Sequence, residues 1–406
     1  MKKLIFCFCF FIQSLIFTNA LFAQEKVLFK FKHQKDDASS YVSIVEEDVF
    51  YNGYLSHHSQ IVNRISSIIH DVDKDGTAQV TANYMTTEDS VSNFSKTALS
   101  WGTENTSNFK RKSDGELIIS DSLFMPTVRN VPLFPKYEVG IGETWTAKGK
   151  EVHDMRSYFN MTEPLIIPFE AKYKYVGNTN INNKNLCVID VDYEFFFQNT
   201  KDKIAKGSLF LATAGYSKQR LYWDQENGIL DHYTEEFRIK MSDVYNNLVE
   251  FRGVSKAEIT QAKFSNSKKN VEKLQKTVEN LKLKDVNIKE GSKGLTISIE
   301  NIQFEPDSAV LLDSEKKKLD LIATLLQDFS NDILITGHCA ERGSESARQV
   351  LSEQRAESVA SYLKQLGVRD AYHIFSQGKG STEPIASNAT EEGRQKNRRV
   401  EIIVLN

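Results

Sequence analysis

Three tight-turn dipeptides, Asp75-Gly76, Asp114-Gly115 and Asn227-Gly228, stand between extended runs and constrain most of what this chain can become. Asp-Gly and Asn-Gly supply the left-handed backbone that a two-residue turn needs, so the runs they join pair as antiparallel hairpins. The flanking runs are 61–72 with 79–87, 108–112 with 116–119, and 221–224 with 229–238; 169–176 and 185–197 straddle an Asn-rich turn, and 27–31 and 41–49 precede them all. No long helical period interrupts this series between Gln24 and Ala262, and 25 Phe and 15 Tyr suit pleated surfaces. An all-β antiparallel domain over residues 24–262 is the expectation.

A membrane-spanning barrel strand needs about ten residues alternating lipid-facing apolar with lumen-facing polar side chains. Lys172, Lys174, Lys218, Arg220 and Arg238 interrupt the candidate strands, and the connection 123–137 is long and Pro-bearing. A soluble sheet is therefore favoured, with an outer-membrane barrel carrying a periplasmic tail as the alternative. Trp101, Trp145 and Trp223 read as core anchors before pocket walls. Trp145 ends Gly140-Ile141-Gly142-Glu143-Thr144-Trp145, which resembles the Val-Gly-Asp-x-Trp turn of several secreted β-rich envelope proteins. Asp71, Asp73 and Asp75 have the spacing of a calcium loop, but position twelve is Ala82 and the flanks read as strand. A solvated turn is the stronger reading and the metal site the weaker candidate.

The N-terminus gives a compartment. Lys2-Lys3 precede an apolar run, 4–17, and Ala20-Leu21-Phe22-Ala23 ends on a small residue, so residues 1–23 are expected to be a secretory signal. Cys7 and Cys9 lie too early in that run to be a lipoprotein acylation site. Beyond it stand Cys187 and Cys339, each in an apolar setting and expected as separate buried thiols. A net charge of −3 gives no reason to expect a nucleic-acid partner.

Near Ser265 the composition turns to Lys, Glu, Asn and Gln, while Val271, Leu274, Val278 and Leu281 recur at spacings of three and four. This predicts an amphipathic linker helix within 263–287, laid against a neighbouring domain. From there the order is strand (295–299), helix (313–329), strand (333–337), helix (345–366), a short strand (373–376), a small helix near Glu391 and a last strand (400–405). A strand–helix–strand unit crosses over right-handed, so residues 288–406 are expected as an α+β domain of βαβαβ type, a mixed sheet with its helices on one face. Ile333-Leu334-Ile335 is unbroken by charge and reads as a strand buried on both faces. Arg355 lies four residues from both Leu351 and Val359, at the edge of the apolar stripe, where a guanidinium needs an anion: an internal carboxylate or a ligand.

Five segments of this region, in order, are Phe304-Glu305-Pro306-Asp307-Ser308-Ala309, Gly337-His338-x-x-x-x-Gly343, Leu351-Ser352-x-x-Arg355-Ala356, Gly378-Lys379-Gly380 with Pro384, and Asn397-Arg398-Arg399-Val400-Glu401. Together they resemble the OmpA-like C-terminal domain, the module that holds Gram-negative envelope proteins to peptidoglycan. The resemblance covers about the last quarter of the chain. It implies that Arg355 takes a carboxylate of the peptide stem, that the backbone around Phe304, Glu305, Cys339, Ala340 and Glu341 adds contacts, and that Arg399 is a supporting charge. The family commonly has Asp where this chain has Ala340, and that Asp pairs with the arginine to clasp diaminopimelate. The Asn often found in the middle of the segment is here Arg348.

No nucleophile–base pair, metal-ligand spacing or phosphate-cradling loop appears in a supporting context, so neither an enzyme nor a cofactor is expected. His338, at a buried strand end, is expected to hydrogen-bond within its loop. The leading expectation is a secreted protein of the periplasm or outer membrane that associates non-covalently with peptidoglycan. Its β domain would meet an outer-membrane or periplasmic protein partner. The alternative of a different class is an envelope scaffold that has lost wall binding.

Overall fold

The structure, a computed structural model, describes residues 26–90, 99–159, 161, 163–205, 207–261, 267–281, 283, 285–305 and 308–406. The expected signal segment 1–23, the start of the expected linker and Pro306-Asp307 lie outside the described residues.

The N-terminal part forms strands β1 (Ala38–Tyr51), β2 (Tyr54–Val72), β3 (Ala78–Ser90), β4 (Leu99–Ser100), β5 (Thr103–Arg111), β6 (Leu117–Ile118), β7 (Val128–Arg129), β8 (Thr144–His153), β9 (Leu165–Ile181), β10 (Lys184–Gln198), β11 (Phe210–Asp224), β12 (Ile229–Asp243) and β13 (Leu248–Gln261). Two short helices, α1 (Arg156–Phe159) and α2 (Lys201–Ala205), fall in its connections. All of these strands except β4 join one 12-stranded antiparallel sheet in the order β6-β5-β3-β2-β1-β13-β12-β11-β10-β9-β8-β7. The sheet curls until it is nearly closed. The three expected turns join β2 to β3, β5 to β6 and β11 to β12, with Gly76, Gly115 and Gly228 all at positive φ. Asn182 and Asn183, both left-handed, turn β9 into β10.

Alternation decides which way each strand faces. Along β9, Ile167, Phe169, Ala171, Tyr173 and Tyr175 are buried, while Glu170, Lys172 and Lys174 between them are exposed. Asp192 and Glu194 of β10 are exposed in the same manner. An outward row of charges is what water accepts and a hydrocarbon layer rejects, so the lysines that interrupt the strand pattern mark its solvent face. Inside, Phe31 meets Trp223 at 4.9 Å between ring centres, Phe29 stacks on Phe134 and Trp145 stacks on Tyr173. Trp145 and Trp223 are thus core anchors, and the Trp145 indole also donates to Leu133 O at 3.0 Å. Trp101 is different: it packs edge-on against Phe375, far along the chain.

The calcium candidate is a hairpin turn. Asp75 Oδ1 accepts from Thr77 N, Asp73 pairs with Lys110 at 3.2 Å, and Asp71 lies in β2 opposite Gln79. No group of three or more metal-ligating side chains occurs among the described residues.

Helix α3 (Ser267–Asn280) leads into strands β14 (Val286–Gly291) and β15 (Gly294–Glu300), helix α4 (Asp313–Leu326), strand β16 (Ile333–Gly337), helix α5 (Glu345–Gln365), strand β17 (Ile374–Gly378), helix α6 (Glu391–Asn397) and strand β18 (Arg399–Leu405). The second sheet runs β14-β15-β18-β16-β17-β4, with β16, β17 and β4 parallel and the other pairs antiparallel. Ile333, Ile335, Ile374, Ile402 and Val404 bury one face against α4 and α5, and Leu274 and Val278 of α3 enter the same core. Leu334, Phe375, Ile403 and Leu405 point the other way, into a cluster with Val42, Ile44, Val62, Met85 and Leu99 of the N-terminal part. The double burial of 333–335 therefore has two covers, helices on one side and the outer face of β1–β3 on the other. Polar contacts follow the same seam: Arg64 Nε donates to Asp332 Oδ2 at 2.7 Å and its Nη2 to Asn406 O at 2.6 Å. His373 Nδ1 meets Asp332 Oδ1 at 2.8 Å.

Candidate functional site

Glycines set the frame. A Cβ on Gly337, at the end of β16, would lie 2.2 Å from Ser352 O, and one on Gly378 would meet Ser352 Oγ at 2.5 Å. Only glycine lets both strand ends approach α5 this closely. Ser352 Oγ then accepts from Gly380 N at 2.9 Å, and Cys339 N donates to Gly380 O at 2.7 Å, so the loops after β16 and β17 are tied to each other and to the helix.

Against this frame the predicted residues fall into two groups. In the first, Arg355 sits half-buried on α5 with its guanidinium 4.8 Å from the centre of the Phe304 ring, while its Nε donates to Ser308 O at 3.3 Å. Cys339 and Ala340 are buried beside it. Burial pushes the Cys339 thiol up, and the neighbouring Arg355 and Arg348 guanidinium groups pull it the other way. Glu305 and Glu341 are exposed, and no ion pair engages either among the described residues. Next to this group runs a groove of about 580 Å³ between 308–311 and α5, lined by Ala309, Val310, Gln354, Glu357 and Ser358.

Arg399 belongs to the second group. Its Nε donates to Glu401 Oε1 at 3.0 Å and its Nη1 to Glu383 O at 3.2 Å. Burial opposes ionisation of Glu401, yet His338 and Arg399 hold its carboxyl down at about 2. The supporting charge expected of Arg399 is thus spent inside the fold. His338 corrects another expectation: its ring makes no hydrogen bond within the loop among the described residues, and Glu401 stands 3.8 Å away. Burial pushes the imidazole below its ordinary value. Cys187 and Cys339 are separate buried thiols, as expected.

Two further residues shape the site: Arg348, which the sequence marked as a departure from the family, and Asn397, which carried no assignment there. Arg348 turns back onto the loop, Nη1 donating to Gly343 O at 2.5 Å, so its charge does lie beside Ala340's loop. Asn397 is almost wholly buried; it accepts from Ile385 N and Ala386 N and donates to Ala386 O and Asn388 Oδ1. Asn388 Oδ1 in turn accepts from Glu341 N at 3.2 Å. The signal for Asn397 was its place at the head of the last quoted segment; nothing in spacing revealed its partners.

Comparison with known proteins falls on the same stretch of chain. The OmpA family model matches residues 303–398. The peptidoglycan-binding protein ArfA of Mycobacterium tuberculosis is 45% identical over 104 residues, 25% of this chain and 32% of that protein. The probable lipoprotein YiaD of Escherichia coli is 41% identical over 103 residues, covering 25% and 47% of the two chains. The outer-membrane lipoprotein YfiB of Pseudomonas aeruginosa is 35% identical over 121 residues, covering 28% and 71%. The chain thus spans about a third to a half of the first two of these relatives. Matching segments, glycine frame and relatives coincide on the same stretch, and through it the chain belongs to the OmpA family.

Proposed function

We propose that this is a cell-envelope protein whose C-terminal domain, residues 288–406, associates non-covalently with peptidoglycan, with a changed preference at the diamino-acid end of the peptide stem. The observation that carries the reading is that Phe304, Ser308 and Cys339, far apart in sequence, come together at Arg355, beside an open groove between 308–311 and α5. Relatives of this stretch carry names that tie them to the wall or the outer membrane. Arg355 presents a planar fork suited to a carboxylate. Ala340 offers no anion for the ammonium group of diaminopimelate, and Arg348 adds a cation on the same loop.

A charge-assisted hydrogen bond of the missing kind contributes about 1.5–3 kcal/mol, or roughly ten- to a hundredfold in affinity. Ala340→Asp should therefore raise the affinity of the full chain for a diaminopimelate-containing muropeptide by about that factor, measured by calorimetric titration. The gain should shrink for a muropeptide whose stem lacks the second carboxylate and amine. A variant that binds both muropeptides no better than the parent chain would remove the stem-preference reading. The proposed domain limits place residues 24–262 as the β-rich partner-facing domain, with 263–287 between the two.

A further inference from the structure

The nearly closed sheet is not filled. Between its two apolar cores, one built on Phe169, Tyr173, Tyr193 and Trp223 and the other on Val80, Ala82, Tyr84 and Phe109, lies a cavity of about 780 Å³. That size is within the range of small-molecule pockets, about 300–1,000 Å³. Ile65, Ile69, Val80, Met125, Leu221 and Ile259 give it apolar walls, and the exposed Lys32, Gln34, Lys184 and Glu226 stand where it opens to solvent.

Arg111, at the end of β5, reaches into this space. It is half-buried among the cavity-lining residues, and burial lowers its guanidinium pKa below the ordinary value. Its guanidinium lies 5.1 Å from the centre of the Phe31 ring and 5.6 Å from that of Phe109. Among the described residues no carboxylate pairs with it and no carbonyl accepts from it. Arg129, a buried arginine of this domain, shows what a structural role looks like: it donates to Pro126 O and Ser120 O and lies 3.5 Å from Asp121. Burying a cation without an anion is unfavourable, and ring faces offset only part of that. A second donor faces the same cavity: the Tyr84 hydroxyl makes no hydrogen bond among the described residues, and its phenol is within electrostatic reach of Arg111. The acidic group on the far wall, Glu235, is already engaged by Ser217 and Gln219.

We propose that the N-terminal domain binds an amphipathic monocarboxylate, its apolar body in the cavity and its carboxylate on Arg111 and Tyr84. One half-buried cation with a forked donor geometry suits one carboxylate, and the walls suit an unbranched apolar chain. Burial holds the Tyr84 hydroxyl protonated, its pKa raised to about 12, so it remains a donor at neutral pH.

The test uses the full chain and two probes of equal length, dodecanoate and 1-dodecanol, titrated by calorimetry. Dodecanoate should bind roughly ten- to a hundredfold more tightly than the alcohol. Arg111→Met should remove that difference by weakening dodecanoate alone, and Tyr84→Phe should weaken dodecanoate several-fold. Without ligand, Arg111→Met should melt at or above the parent temperature, since it deletes an unpaired half-buried charge, and dodecanoate should no longer raise its Tm. Equal binding of the two probes, unchanged dodecanoate binding in Arg111→Met, or loss of cooperative unfolding in that variant without ligand would each overturn the proposal.

Discussion

At the scale of single residues, the site is held by groups that never face a ligand. Asn397 satisfies two backbone amides and one carbonyl of the 385–388 loop and passes its hold to Glu341 through Asn388. Asn397→Ala would strand those buried groups, at a cost of about 2–3 kcal/mol. Thermal unfolding should show the loss, and hydrogen exchange should quicken at 385–388 and at Glu341; an unchanged exchange pattern would deny Asn397 this part. Arg355 was legible in the sequence because a cation at the edge of a helical stripe breaks a period that can be counted. Arg111 and Arg64 were not. Arg111 follows Lys110 at the end of β5 and Arg64 stands among polar residues of β2, and whether either is buried depends on register and closure, which local spacing does not fix.

At the scale of elements, the close approach of β16 and β17 to α5 makes a contrast between glycines. Gly337 has no room for a Cβ, whereas Gly343 has open space and only a positive φ, 82°. Gly337→Ala should destabilise by about 3 kcal/mol through overpacking and Gly343→Ala by about 1 kcal/mol through backbone strain. Equal shifts in the denaturation midpoint would show that the strand end yields more easily than its contacts imply. The hairpins were readable because their turn dipeptides have a mechanism, and α4 and α5 because their apolar period is long. The strand ends were not, since β9 runs on past 176 through Gly177, Asn178, Thr179 and Asn180, which read as a turn, and β11 starts at Phe210, with Lys218 and Arg220 ahead of the run 221–224. Strand β4 was beyond reading: two residues, Leu99–Ser100, extend a sheet whose other members begin at Val286.

At the scale of the whole molecule, the two sheets share a face, and its polar centre is titratable. Burial opposes charge on Asp332, yet His373 and Arg64 hold its carboxyl below the usual range. Burial likewise lowers His373, but Asp332 outweighs it and the imidazole ends above its ordinary value; Asp370 and Glu258 lie 3.9 Å from its other nitrogen. A raised histidine contributes stability that is complete below its unfolded pKa of about 6.5 and lost as pH rises through the folded value. A depressed aspartate contributes stability present above about 3.9 and lost as pH falls through its folded value. The seam should therefore be tightest in mildly acid solution, and Asp332→Asn should flatten the fall in Tm as the pH is raised from about 6 to 9. A parent chain with the same slope as the variant would show that this triad does not couple the two sheets. Arg64→Ala leaves the buried Asp332 short of a cation and should cost about 3 kcal/mol.

The central claim concerns the wall, and co-sedimentation with purified sacculi tests it most directly. The full chain should pellet with sacculi, and Arg355→Ala, melting at the parent temperature, should stay in the supernatant. Pelleting of both to the same extent, or of neither with any wall chemistry, would contradict the account and leave the C-terminal domain as a scaffold.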